Sequence, residues 1–139
     1  DSSLILLPLE KALINPMKKN RYTRVESFKH AFSGIFFLLR NEPNFLIHSI
    51  ATILVLMAGF VFKIEKSEWL LVLLTIGAVL GAEAMNTAVE KICDHFKKET
   101  DPLVKIVKDV SAAAVLLISI IAAIIGLLIF LPYIIGFFK

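Results

Sequence analysis

Residues 110–138 read VSAAAVLLISIIAAIIGLLIFLPYIIGFF, 29 consecutive positions without a charged side chain. At about 1.5 Å of rise per residue, a helix of that length exceeds the roughly 30 Å hydrocarbon core of a bilayer. The stretch predicts a membrane span over 109–132, with Pro132 ending or kinking the helix near its far side. Upstream, Pro43 to Phe62 supplies twenty residues without Asp, Glu, Lys or Arg, which predicts a span over 43–62. Between the two, Trp69 to Ala82 is apolar for only 14 residues, and the helical spacing then continues through Glu83, Asn86, Glu90 and Asp94. The predicted middle span, 69–92, therefore gathers carboxylates at one end.

Composition agrees with an all-α membrane protein. Of 139 residues, 58% are hydrophobic and 19% charged, more apolar surface than a soluble domain of this length can cover. The single cysteine, Cys93, excludes an intrachain disulfide and a Cys-based zinc site.

The distribution of Lys and Arg sets the expected orientation. Seven precede the first span (Lys11, Lys18, Lys19, Arg21, Arg24, Lys29, Arg40) and five follow the second (Lys91, Lys97, Lys98, Lys105, Lys108), against three elsewhere. That bias predicts a cytoplasmic N-terminus, an external C-terminus, and a cytoplasmic position for Glu42, Glu83, Glu90, Asp94 and Asp109. Trp69 would lie at the opposite interface.

Before the first span, Val25, Phe28, Phe32, Ile35 and Leu39 recur at helical spacing, with Arg24, Lys29, His30 and Ser33 off that stripe. This predicts an amphipathic helix at about 21–40 that lies in the membrane surface. Residues 1–19 form an N-terminal segment to which the sequence assigns no role, and 20–139 are expected to form one membrane domain.

Ionisable groups at membrane depth are costly unless paired, hydrated or cation-bound. Glu83, Asn86, Glu90 and Asp94, spaced 3, 4 and 4 apart, share one helix stripe with Thr87 beside it. Their like charges repel, which points to a cation, either a Lys of a neighbouring chain or a divalent metal. The plainer alternative is that they solvate a helix end leaving the membrane. Asp109 is suited to cap the last helix, and Lys108 to snorkel or meet anionic headgroups. Carboxylates and a lysine at one interface also make up the parts needed for phosphoryl transfer. Neither G-x-x-x-x-G-K-[ST] nor G-x-G-x-x-G occurs, so the phosphate cradles of soluble nucleotide enzymes are absent. His30, His48 and His95 are too dispersed for a metal site, and His48 reads as a hydrogen-bonded interior residue. Small residues at Gly77, Gly81, Ala84 and Ala88, and at Ser119, Ala122, Ala123 and Gly126, favour close helix approach. Three helices alone make a thin bundle, which predicts a homo-oligomer with shared sites.

The run GAEAMNTAVEKICDHF, Gly81 to Phe96, followed by KIVKDVSAAAVLL, Lys105 to Leu117, resembles the bacterial integral-membrane diacylglycerol kinase family, which includes the undecaprenol kinases of Gram-positive bacteria. The pattern E-x-x-N-[TS]-A-x-E-x-x-x-D is matched at Glu83, Asn86, Thr87, Ala88, Glu90 and Asp94, and GIFFLLRNEPNF, Gly34 to Phe45, is similar upstream. The likeness covers roughly residues 20 to 132.

The resemblance implies a homotrimer in a bacterial plasma membrane that moves the γ-phosphate of ATP to a lipid alcohol, with Mg²⁺ as cofactor and composite sites between subunits. By position, Glu83 would be the catalytic base on the lipid hydroxyl and Asn86 would hold the catalytic arrangement. Glu42 and Glu90 would bind the metal bridging the phosphates. Nucleotide contacts would come from Glu42, Glu90, Asp94, Lys108 and Asp109, and further from His30, Glu99 and Asp101. The family often has His at the position of Asp101, a departure at the adenosine end of the site. Undecaprenol is favoured as substrate over diacylglycerol, and no nucleic acid partner is expected. Two other classes compete: a small oligomeric cation channel or transporter lined by Glu83, Glu90 and Asp94, and a structural membrane subunit. The carboxylate-free outer half of the middle span argues against the channel.

Overall fold

The computed structural model describes residues 23–96 and 101–138, all but the side chain of Phe96. Regular structure among them is helical: α1 (Arg24–Asn41), α2 (Pro43–Phe62), α3 (Lys66–Phe96) and α4 (Pro102–Phe137). The expected segment 1–19, Arg21 and the nucleotide candidate Glu99 lie outside the described residues. By its contacts the chain divides after Gly34, within α1, into two units. In the first, Thr23 and Glu26 close a capping box. The Thr23 backbone N–H donates to Glu26 Oε2 at 2.7 Å, and the Glu26 N–H donates to Thr23 Oγ1 at 3.3 Å.

The second unit, Ile35 onward, contains α2, α3 and α4, each long and apolar enough to cross a membrane. Its apolar side chains point outward: Phe60, Leu74 and Leu128 are 73%, 71% and 72% exposed. Such a surface is stable only against lipid or other protein. A small core lies at the end where α2 turns into α3. There Ile64, Val72 and Ile129 are buried and Phe62, Trp69, Phe130 and Tyr133 pack on them. Trp69 covers Gly59 so closely that a Cβ there would lie 2.8 Å from the indole, which explains the glycine. The turn itself is made by Lys63 at φ 52°, the one non-glycine residue in the left-handed region among those described, and its N–H bonds to the Gly59 carbonyl.

Helix limits differ from the apolar windows in instructive ways. The middle helix runs Lys66–Phe96, far past its 14-residue apolar window, because the helix continues through the polar residues from Glu83 to Asp94. The last helix starts at Pro102, and its N-cap is Asp101, whose side chain accepts the Leu103 N–H at 2.9 Å. Asp109, expected at the cap, lies inside α4. An Asp-Pro pair is the stronger start signal, since proline at the first helical position needs no N–H partner. Nor does Pro132 end the helix, which continues to Phe137.

Candidate functional site

Near the end where α2 and α4 begin and α3 finishes, three polar side chains of α3 are buried: Glu83 at 3%, Asn86 at 5% and Thr87 at 4% exposure. Glu90, a turn further, is half-buried, and Asp94 is exposed. The predicted stripe thus climbs from the interior to the surface of the unit. Asn86 spans two members of it, its Nδ2 donating to Glu90 Oε1 at 3.0 Å, while its Oδ1 is buried without a hydrogen-bond partner.

Two lysines of the same chain meet carboxylates at this end of the unit. Lys108 Nζ of α4 donates to Asp94 Oδ1 at 2.9 Å. Glu42 precedes Pro43 as the N-cap of α2, yet its side chain caps nothing. Its Oε1, shut off from solvent, meets Lys91 Nζ of α3 at 2.9 Å as an ion pair instead of a well-aligned hydrogen bond. A long-range lysine pair is invisible to helical spacing, which is why Lys91 escapes a sequence reading. Asp109 is exposed on α4, Asp101 is occupied at its cap, and His30 is exposed on the part of α1 that belongs to the first unit.

Asn44 and His48 of α2, Glu83, Asn86 and Glu90 of α3, and Ala112, Val115, Leu116 and Ser119 of α4 line a cleft of about 290 Å³. Glu83 is within electrostatic reach of His48, Glu90 and Glu42. His48 is therefore part of the polar cleft and not merely an interior residue. It is the only ionisable residue of the 43–62 run, and that isolation is the sequence signal for its place in the cleft. Beyond His48 and Ser119 the cleft gives way to an apolar groove of about 320 Å³, bordered by Val55, Val72, Ile76, Ala122, Gly126 and Phe130 among others. Ser119, Ala122, Ala123 and Gly126, the small residues of α4, line this groove. Ser119 Oγ, on the border of both spaces, is buried without a partner.

No group of three or more His, Cys, Asp or Glu able to hold a metal occurs among the described residues. Mg²⁺ does not need one, since it is commonly held by one or two carboxylates together with substrate phosphates and water. Glu42 and Glu90, with the unsatisfied Asn86 Oδ1 nearby, suit that kind of binding.

The profile of the prokaryotic diacylglycerol kinase family matches residues 29–130. The undecaprenol kinase of Bacillus subtilis (strain 168) is 42% identical over 113 residues, 81% of this chain and 90% of the relative. A diacylglycerol kinase of Synechocystis sp. (strain ATCC 27184 / PCC 6803 / Kazusa) is 32% identical over 122 residues, 84% of this chain and 70% of the relative. A polar cleft at one end of three membrane-length helices, matched over this much of its length, makes the chain a member of the prokaryotic diacylglycerol kinase family, a multi-pass membrane lipid kinase.

Proposed function

We propose that the chain transfers the γ-phosphate of ATP to the hydroxyl of undecaprenol, giving undecaprenyl phosphate. The observation that carries this reading is the continuity of a carboxylate-lined cleft with an apolar groove, sharing His48 and Ser119. A lipid alcohol needs its hydroxyl among polar groups and its chain among apolar ones, and this junction offers both. The choice of a polyprenol over diacylglycerol is supported by the higher identity to the Bacillus relative named for it.

In this reading the lipid hydroxyl lies against Glu83. Its oxygen attacks the γ-phosphorus, an O–P bond forms, the bond from that phosphorus to the bridging oxygen breaks, and ADP leaves. The hydroxyl proton passes to the Glu83 carboxylate. Glu83 is buried, so its carboxylate is poorly hydrated and free to accept a proton from substrate in place of water. Asn86 fixes Glu90 through its amide. Mg²⁺, held by Glu42 and Glu90, would neutralise charge on the phosphates and draw them into line. Asp94, Lys108 and Asp109 border the nucleotide, while His30, Glu99 and Asp101 are assigned to it by resemblance alone.

The assembly is taken to be a homotrimer with the N-terminus cytoplasmic and α1 in the membrane surface, its exposed Val25, Phe28 and Phe32 entering the lipid. Added Cβ atoms at Gly77 and Gly81 would meet nothing, which leaves α3 a smooth face for a second copy. The test is transfer from labelled ATP by the purified protein, with undecaprenol and diacylglycerol offered in parallel. Glu83→Gln should cut turnover by about 10²–10⁴ without loss of fold, and a metal chelator should abolish it. Undiminished turnover in Glu83→Gln would refute the mechanism, and preference for diacylglycerol would refute the substrate.

A further inference from the structure

Lys91 follows Glu90 on α3 and takes no part in the proposed transfer. Its Nζ lies 2.9 Å from Glu42 Oε1 and 5.9 Å from the centre of the Phe37 ring. The pair is lopsided, for the Lys91 side chain is 57% exposed and that of Glu42 only 15%. An enclosed carboxylate is expensive without a cation beside it. The lysine, on a flexible four-carbon stem with its head near an aromatic face, can leave at little cost if another anion takes it up.

We propose that Lys91 is an exchangeable counter-ion. It holds Glu42 in the nucleotide-free protein, yields Glu42 to the divalent cation that arrives with the nucleotide, and moves its ammonium to a phosphate oxygen of that nucleotide. The inference rests on the reading of Glu42 and Glu90 as the metal carboxylates. An ammonium and a divalent cation repel one another at a single enclosed oxygen, so binding one expels the other. Phosphates drawn to Glu42 and Glu90 come within reach of the side chain next to Glu90, and they replace the partner that Lys91 has lost. No bond is made or broken in this exchange; only ion pairs change hands.

The exchange predicts effects of opposite sign on two ligands. In the full chain in lipid or detergent, Lys91→Met removes the charge and keeps most of the stem. Mn²⁺ alone, followed by electron paramagnetic resonance, should bind that variant about threefold or more tightly than the parent, since its competitor is gone. A non-hydrolysable ATP analogue at saturating Mg²⁺ should bind roughly tenfold more weakly, since a phosphate contact is gone. Lys91→Arg should recover most of the analogue affinity, and Lys91→Gln serves where the methionine variant does not fold. Lower thermal stability with both affinities unchanged would make the pair merely structural and overturn the proposal, as would changes of the same sign in both. Glu42→Gln separates the layers. If that variant binds Mn²⁺ like the parent, the metal role of Glu42 fails and the exchange with it. If it loses Mn²⁺ while Lys91→Met matches the parent for both ligands, the exchange alone is wrong.

Discussion

The Tyr133 hydroxyl donates to Glu68 Oε2 at 2.7 Å, joining the far end of α4 to the first turn of α3 across 65 positions of sequence. The same carboxylate oxygen accepts the Glu65 backbone N–H at 2.8 Å. One side chain therefore caps α3 and anchors α4, next to the aromatic contact of Tyr133 with Phe62. Tyr133→Phe keeps the ring and removes the donor, and it should lower stability by about 1–2 kcal/mol, the range for a hydrogen bond to a charged acceptor that is partly solvated. Unfolding in mixed micelles measures this. Turnover at low temperature should be unchanged, because the contact lies at the end opposite Glu83.

The groove between His48 and Phe130 makes a separate prediction about substrate. A Cβ at Gly126 would meet no atom within 4 Å, so Gly126→Leu should fold normally and fill part of the space. The KM for the lipid alcohol should rise roughly tenfold with the KM for ATP within about twofold, as expected for a blocked apolar pocket. Parallel saturation curves for the two substrates decide it; equal effects on both would remove the groove from lipid binding.

Asp101 distinguishes a helix cap from a nucleotide contact. Asp101→Ala should lower stability by about 1 kcal/mol through loss of the bond to Leu103 N–H, and Asp101→Asn, itself a good cap, should restore it. If Asp101 also contacts the nucleotide, as the resemblance implies, the KM for ATP should rise in both variants, because each lacks the carboxylate charge. A raised KM in the asparagine variant would place the carboxylate charge at the nucleotide.

Glu26 supplies a pH dependence whose sign is fixed by its capping box. The Thr23 N–H, and then the Thr23 hydroxyl, hold its carboxyl below the ordinary 4.5. A depressed acid contributes its stabilisation fully above the unfolded value and loses it as pH falls through the lower folded one. Protection of the Thr23 amide against hydrogen exchange, corrected for intrinsic rates, should thus be flat above about pH 4.5 and decline below it. In Glu26→Gln the acid-side decline should vanish.

Amino-acid order by itself determined the three apolar helices, the stripe Glu83–Asn86–Glu90–Asp94 and the family, because uninterrupted apolar length and helical spacing are local properties of the chain. Even the start of α4 was legible in Asp101-Pro102, a local signal overshadowed by the uncharged run after Asp109. Tertiary structure alone decided which charges are balanced by which: Lys91 by Glu42, and Lys108 by Asp94. It also decided that His48 and Ser119 meet where the polar cleft opens into an apolar groove. Those relationships join residues on different helices, and no periodicity within one helix sets which faces of two helices will meet; that depends on packing the whole bundle at once.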